Sequence, residues 1–342
     1  MTDIKSLYLP ELSEYIKSIN EKPFRAKQIY TWLHKDLCNG FDEMTNISKD
    51  LREKLKGDCD LTDIQKVTMQ ESKEDGTRKY LFSLSDGETV ESVFMRYHHG
   101  NSVCISSQAG CRMGCKFCAS TIGGLSRNLL ASEMLDQIYK IQKDTNERVS
   151  NVVVMGTGEP LDNYDNLIRF IRILTDENGL NISQRNVTVS TCGLIPGIKK
   201  LMEEDLNITL AISLHAPNQK KREELMPVAK SFGYEDLIDA CREYFDKTGR
   251  RITFEYSLVH GQNSSEDDAR ELSGALKRLP CHVNLIPVNP VRETGMKAPN
   301  TTEVAAFKNT LEKNGINATI RRELGRDIDG ACGQLRHKRQ TK

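Results

Sequence analysis

The sequence predicts an α/β fold, a partial TIM-like (βα)6 barrel with a small N-terminal helical accessory domain. Three observations carry this. From Asn101 onward short β-branched runs alternate with amphipathic stretches. Cysteine and polar residues gather immediately after those runs. Residues 1–65 instead carry apolar positions at helical spacing among many charges. The strand candidates are SVCISS (102–107), NVVVM (151–155), NVTVST (186–191), NITLAISL (207–214), ITFEYSL (252–258), HVNLIPV (282–288) and NATIRR (317–322). Helix candidates fall between them at 131–145, 163–176, 195–204, 234–247, 265–278 and 302–314. Strand–helix alternation implies a parallel sheet with right-handed crossovers, and six or seven repeats suit a barrel better than a small doubly wound sheet. Upstream, 26–33 and 47–55 read as helices. TRKYLFSL and TVESVFMRY alternate about Ser85-Asp86-Gly87-Glu88, the pattern of a hairpin. The expected organisation is a helical accessory domain over 1–65, a β-hairpin connector over 66–100 and a core over 101–342 ending in a basic tail.

The bulk numbers exclude several classes. Hydrophobic residues make up 38% of the 342 and charged residues 28%, as in ordinary globular proteins. No apolar run approaches the ~18–20 residues of a membrane span, so no membrane role is expected. The first residues show no basic region followed by an apolar stretch, which leads us to expect a cytoplasmic protein. Nothing suggests a dimer interface, and a monomer is expected. Ten cysteines in a reducing compartment are not a disulfide framework; clustered ones point to metal or catalysis. Lys+Arg and Asp+Glu both total 48, so net charge names no partner. Locally, Arg336, Lys338, Arg339 and Lys342 form a basic tail behind Arg321, Arg322 and Arg326. That tail suits a phosphate backbone, or is simply a solvated, frayed end.

In βα barrels, chemistry sits on the loops that follow the strands. Here those loops hold Gly110-Cys111-Arg112-Met113-Gly114-Cys115-Lys116-Phe117-Cys118, then Gly156-Thr157-Gly158-Glu159-Pro160, then Ser190-Thr191-Cys192-Gly193, Ser213-Leu214-His215, Asn289-Pro290 and Gly330-Ala331-Cys332-Gly333. Cys111, Cys115 and Cys118 have C-x3-C-x2-C spacing. Iron–sulfur clusters are held by thiolates, usually four, and three ligands leave one iron of a cubane open to a small molecule. Structural zinc is the alternative. It wants four closed ligands, the fourth from His98 or His99, but no second ligand knuckle is present. A zinc-stabilised nucleic-acid-binding protein therefore stays as the non-enzymatic reading. Taken alone, GTGEP is a tight turn, Ser190 or Asn289 a cap or turn residue, and Cys38, Cys59, Cys192, Cys241 and Cys281 small apolar packers.

The cysteine motif with Phe117 before its last member resembles the radical S-adenosylmethionine (SAM) signature. VESVFMRY, SSQAGCRMGCKFCAS, MGTGEPLDNYDN, VSTCG, AISLHAPN, LMPV, TFEYSLVHGQN, HVNLIPVNP and DIDGACGQLR extend the likeness over 24–336, to the RlmN/Cfr family of RNA methyltransferases. The resemblance implies a radical SAM barrel with one 4Fe-4S cluster on Cys111, Cys115 and Cys118. It implies SAM bound by Gly158, Glu159, Ser190, Ser213, Leu214, His215 and Asn289. It further implies methylation of adenine C2 in 23S rRNA and in certain tRNAs, in the tRNA anticodon loop; the family's other branch methylates C8. Pro160 after Glu159 suits the C2 branch. Adenine C2 lies between two electron-withdrawing ring nitrogens and is no nucleophile, so ordinary methyl transfer fails. By resemblance Cys332 takes the methyl group first, as S-methylcysteine. A second SAM yields the 5′-deoxyadenosyl radical that activates it. Glu91 accepts the C2 proton, and Cys104 resolves the adduct through a transient disulfide with Cys332. Without the resemblance Glu91 would be a cross-strand salt bridge on a hairpin. An electron donor such as flavodoxin or ferredoxin is implied. The target base must leave its stack. Arg25, Lys27 and Lys35 of the helical segment, with the basic tail, are the candidates for holding phosphates.

Overall fold

A computed structural model describes residues 1–291 and 293–335. The basic tail from Arg336 onward lies outside the described residues. The N-terminal segment opens with β1 (Thr2–Asp3), followed by α1 (Leu9–Ser18), α2 (Phe24–His34), α3 (Lys49–Asp58) and β2 (Cys59–Asp60). β1 and β2 pair in parallel, a two-residue contact that periodicity cannot reveal. Leu12 and Ile16 of α1, Ile29 and Leu33 of α2, and Leu51 and Leu55 of α3 are buried in the same continuous core as the barrel helices. Two buried polar contacts fix the docking. The Lys5 ammonium binds Asp136 Oδ1 at 2.8 Å and the Thr62 carbonyl, and His34 Nδ1 meets the Tyr139 hydroxyl at 2.8 Å.

Next come β3 (Gln65–Glu71), β4 (Arg78–Ser83) and β5 (Thr89–Met95). β4 and β5 pair antiparallel across the Ser85–Glu88 turn, where Gly87 has φ +86°. β5 pairs antiparallel with β6 (Asn101–Ile105), so all three extend the main sheet.

β6 is followed by the short pair β7 (Gln108–Gly110) and β8 (Leu125–Asn128), then α4 (Ala131–Thr145) and β9 (Val149–Val154). The chain continues as α5 (Tyr164–Leu174), β10 (Val187–Thr191), α6 (Ile195–Leu201), β11 (Thr209–Ser213), α7 (Gln219–Leu225), α8 (Tyr234–Thr248), β12 (Ile252–Leu258), α9 (Glu266–Leu276), β13 (Cys281–Pro287), α10 (Thr301–Lys313) and β14 (Ala318–Ile320). Strands β6, β9, β10, β11, β12, β13 and β14 are parallel and lie side by side in chain order. Each returns to its neighbour through a helix, the arrangement of a partial barrel. The predicted strands and helices match within a few residues; α7 is the helix the periodicity did not reveal. Helix ends are set by local chemistry. Ser265 and Asp268 form a reciprocal capping box on α9, as do Asn300 and Glu303 on α10, and Gly249 at φ +66° ends α8. Among the described residues no helix is long and apolar enough to cross a membrane.

The ten-stranded sheet stays open between β14 and β3. The segment after β14 bridges that gap. Gly325 N–H donates to Asp75 at 2.9 Å, Lys73 N–H donates to Asp327 at 2.9 Å, and Leu324 and Leu335 pack on Val93 and Met95 of β5.

Candidate active site

The loops at the strand ends converge on a cavity of about 980 Å3. Cys111, Cys115 and Cys118 line one side, and Cys332 lines another. A second cavity of about 610 Å3 adjoins it; Cys332, Asn289 and Arg321 line both, while Cys104 lines only the second. The sequence-predicted cysteines are thus brought together from opposite ends of the barrel.

The three-cysteine loop is shaped by glycine. At Gly110, φ is +81°, and a Cβ would stand 2.0 Å from the Gly124 carbonyl oxygen, so only glycine lets the loop fold back on itself. Burial is the largest cause pushing all three thiols up, Cys111 to about 12; Cys118 adds to the rise at Cys111 and Cys115, while hydrogen bonds from Ser120 oppose it at Cys118. A desolvated set of thiols is unfavourable as thiolates unless a cation takes the place of the protons. Among the described residues no three His, Cys, Asp or Glu side chains gather closely enough for a single metal ion. The thiols instead ring one wall of the cavity, as suits ligands to the corners of a cluster. His98 and His99 pack against each other and Tyr97 instead of joining the cysteines, so the zinc alternative loses its fourth ligand.

Gly158 has φ +111°, and a Cβ there would meet Gln108 Cβ at 2.6 Å. The Glu159 carboxylate is buried and accepts from Leu161 N–H at 3.0 Å and Cys192 N–H at 2.7 Å. Desolvation raises its pKa, and those backbone donors oppose the rise. Glu159 therefore braces two cavity loops while lining the cavity. Ser190 and Ser213 hydroxyls lie 3.3 Å apart on adjacent strands. His215 sits at φ +54°, and its Nδ1 accepts from Ser257 N–H at 2.8 Å, which leaves Nε2 as the protonated nitrogen. Burial, with the nearby Arg222, holds its pKa down to about 3, so the ring is neutral. Its ring meets that of Phe117, 4.7 Å away, linking this strand end to the cysteine loop. Asn289 donates from Nδ2 to the Cys332 carbonyl at 2.9 Å. Leu214 is fully buried in the core and does not line the cavity.

Cys332 is exposed to the cavity yet flanked by protein, and burial raises its thiol pKa while Arg321 opposes the rise. Burial pushes Cys104 up to about 12, and Cys332 adds to that while Arg321 opposes it. All ten cysteines are free thiols. Glu91 lines neither cavity. It pairs with Lys79 at 3.6 Å on the face of β5 that also presents Val93 and Met95, and Lys79 Nζ reaches the Asp329 carbonyl of the Cys332 segment at 3.4 Å.

Three placements depart from the sequence expectations. Cys192, expected to be only a packer, lines the cavity beside Cys115. Arg321, grouped with the basic tail, points inward and faces Glu255 at 3.7 Å. Arg222 was not singled out and is completely buried behind the site. The signal for Glu255 was available, since it lies on β12, where strand alternation aims side chains to one face or the other; Arg321 comes immediately after β14.

Comparison with known proteins agrees with this geometry. Residues 2–61 match the family described as ribosomal RNA large subunit methyltransferase N-terminal domain, and residues 105–272 match the radical SAM superfamily. A probable dual-specificity RNA methyltransferase RlmN from Lachnospira eligens is 62% identical over 99% of this chain and 97% of its own. One from Lachnoclostridium phytofermentans is 60% identical over 98% and 94%. The crystal structure of a radical SAM methyltransferase from Sphaerobacter thermophilus superposes with a TM-score of 0.94 at 41% identity, covering 98% of this chain and 99% of that one. With its fold and near-complete coverage by such relatives, the chain belongs to the RlmN family of radical SAM dual-specificity RNA methyltransferases.

Proposed function

We propose that the chain methylates C2 of an adenine in 23S rRNA and of an adenine in the anticodon loop of certain tRNAs, through a methylated Cys332. The observation that carries the reading is the position of Cys332. It lies on the shared wall of two cavities, one bearing Cys111, Cys115 and Cys118 and the other bearing Cys104. A thiol so placed can exchange with a group in the first cavity and with a thiol in the second.

The three cysteines would hold a 4Fe-4S cluster, which when bound supplies the electron that splits the sulfonium of SAM. The remaining work belongs to the chain. Gly158 and the strand-end groups of Ser190, Ser213, His215 and Asn289 surround the space for SAM; neutral His215 offers an Nε2–H donor there, and Glu159 an acceptor for an amino group. Leu214 shapes the strand end from the core. Cys332, as thiolate, takes a methyl group from SAM. Asn289 orients it through the Cys332 carbonyl. Once the methyl-derived carbon is bonded to adenine C2 and the C2 proton has gone, Cys104 as thiolate attacks the Cys332 sulfur; the S–S bond forms as the C–S bond breaks, and its electron pair stays with the carbon, which is protonated and leaves on the RNA. Glu91 accepts the C2 proton in this scheme, and Lys79 ties it to the Cys332 segment. An electron donor such as flavodoxin or ferredoxin would serve the cluster, and the chain would act in the cytoplasm as a monomer. Half-buried Arg25 and exposed Lys27 and Lys35, beside the exposed Phe24 of α2, would hold RNA phosphates.

The test is nucleoside mass spectrometry on 23S rRNA or tRNA treated with anaerobically reconstituted protein, SAM and reductant. 2-Methyladenosine is expected. 8-Methyladenosine would replace the regiochemistry, and neither product despite active SAM cleavage would overturn the RNA substrate. Cys332→Ala should cleave SAM and yield no methylated RNA.

A further inference from the structure

Arg222 on α7 is completely buried, and its electrostatics are unbalanced. Nη2 donates to the Cys192 carbonyl at 2.6 Å, but Nε and Nη1 have no hydrogen-bond partner among the described residues. The acidic groups that weigh most on it are not carboxylates. They are the thiols of Cys192, Cys115 and Cys241 and the Tyr234 hydroxyl. A guanidinium does not escape by deprotonating, and a buried unpaired charge is strongly unfavourable. The position is therefore built for an anion that arrives beside Cys115. α7 is coupled to that loop directly, since Lys116 N–H donates to the Leu225 carbonyl at 2.9 Å, and Cys192 and Met226 line the cavity.

A cubane cluster held by three thiolates is such an anion. Its thiolates outweigh the charge of the oxidised core, and reduction adds one further negative charge. Net charge, hydrogen bonds and burial set the potential of such clusters. We propose that Arg222 is a positioning residue for the cluster, a fixed positive charge behind Cys115 and Cys192 that stabilises the reduced state and raises the reduction potential. This rests on the reading of Cys111, Cys115 and Cys118 as cluster ligands. It also explains why the guanidinium is left incompletely bonded by protein: its counter-charge is the cofactor.

The experiment is a redox titration of the reconstituted full chain without SAM, followed by electron paramagnetic resonance, with iron and sulfide determined on each sample. Wild type is compared with Arg222→Met, Arg222→Gln and Arg222→Lys. Gln keeps a donor for the Cys192 carbonyl without the charge; Lys keeps the charge. Met and Gln should each lose at least tenfold in the reduced-to-oxidised ratio at fixed potential, a fall of about 59 mV for a one-electron couple, while Lys stays near wild type. If Met does not fold, the Gln–Lys contrast decides the matter. A cluster-loaded Gln variant at the wild-type potential would overturn the role of Arg222, as would a Lys variant shifted as far as Gln. Wild type without iron and sulfide would overturn the cluster reading itself and the proposal with it.

Discussion

Lowering the pH from 7.5 to 5.5 should destabilise this protein through two buried histidines. His34 lies under α4, held between Tyr30, Tyr139 and the Lys5 ammonium, and its Nε2 has no hydrogen-bond partner among the described residues. His215 lies in the site, held by Ser257 N–H, Phe117 and Arg222. Burial depresses both from 6.5 to about 3, and a nearby cation adds to it in each case. The stability these neutral rings contribute is fully present above the unfolded value of 6.5. It is lost as pH falls from 6.5 towards 3, because only the unfolded chain readily takes the proton. At pH 5.5 the linkage amounts to about 1.4 kcal/mol per histidine, or about 3 kcal/mol for the pair, against almost nothing at pH 7.5. Burial raises the carboxyl groups of Glu159 and Glu255, which works in the opposite direction by letting the folded chain take up protons, whereas His282, partly exposed and also lowered, adds to the histidine effect. Urea denaturation of the apo chain at the two pH values measures the difference. His34→Gln should remove about 1.4 kcal/mol of the pH dependence while lowering stability at pH 7.5. A wild-type stability unchanged between pH 7.5 and 5.5 would refute the reasoning, and so would a His34→Gln variant with the wild-type slope.

Three further outcomes are expected. Gly158→Ala forces a side chain into φ +111° and to within 2.6 Å of Gln108 Cβ, so the loop must move; SAM binding, measured by isothermal calorimetry on reconstituted protein, should fall at least tenfold. Asn289→Ala removes the donor to the Cys332 carbonyl and should cost about 1–3 kcal/mol at that loop. It should show as slower methylation of Cys332 in peptide mass spectra, with iron content unchanged. Lys5→Met leaves Asp136 as an uncompensated buried carboxylate and should cost about 3–5 kcal/mol in urea denaturation, whereas the exposed pair Lys17–Glu14 should cost at most about 1 kcal/mol when broken by Lys17→Met.

The barrel was legible because each of its strands carries a β-branched run and each crossover an amphipathic helix. The local signal and the tertiary role agree there. Agreement fails where long-range pairing decides. β1 and β2 are two residues each, too short for a periodic signal, and contacts beside them, such as Lys5 with Asp136 and Asp3 with Ser132, join distant parts of the chain. α7 is a seven-residue helix whose buried residues include an arginine, so it shows no apolar stripe. The three-cysteine loop was legible from spacing alone. The meeting of Cys104 and Cys332 across adjoining cavities was not, since nothing local in the sequence marks either as more than a small thiol. Arg321 was misgrouped because charge read along the chain ignores which way a side chain points as the chain leaves β14.

The position of Cys332 is a consequence of the open barrel. A closed sheet would pair β14 with its opposite edge and leave no route by which the following segment could enter the interior. Here β14 stops at Ile320, and the chain crosses to the antiparallel strands, anchoring on Asp75 and through Asp327 before turning back. On the return it is fixed at three points around Cys332. Ala119 N–H donates to the Gly333 carbonyl at 2.8 Å, Ser120 Oγ to the Leu335 carbonyl at 2.8 Å, and Asn289 to the Cys332 carbonyl. Two of those three anchors lie immediately after Cys118 and the third on the loop after β13. A change in the cysteine loop is thereby transmitted to Cys332 through hydrogen bonds of normal length. The wall beside Cys104 is supplied by Val93, Met95 and Tyr97, in or just after β5. The antiparallel strands therefore belong to the site as much as the parallel ones, and the helical segment that clamps α4 through Lys5 and His34 braces the first crossover of the same barrel. A family built on a full TIM barrel could place chemistry on its strand-end loops, but it could not pass its last segment between the sheet edges to set one thiol on the wall between two cavities.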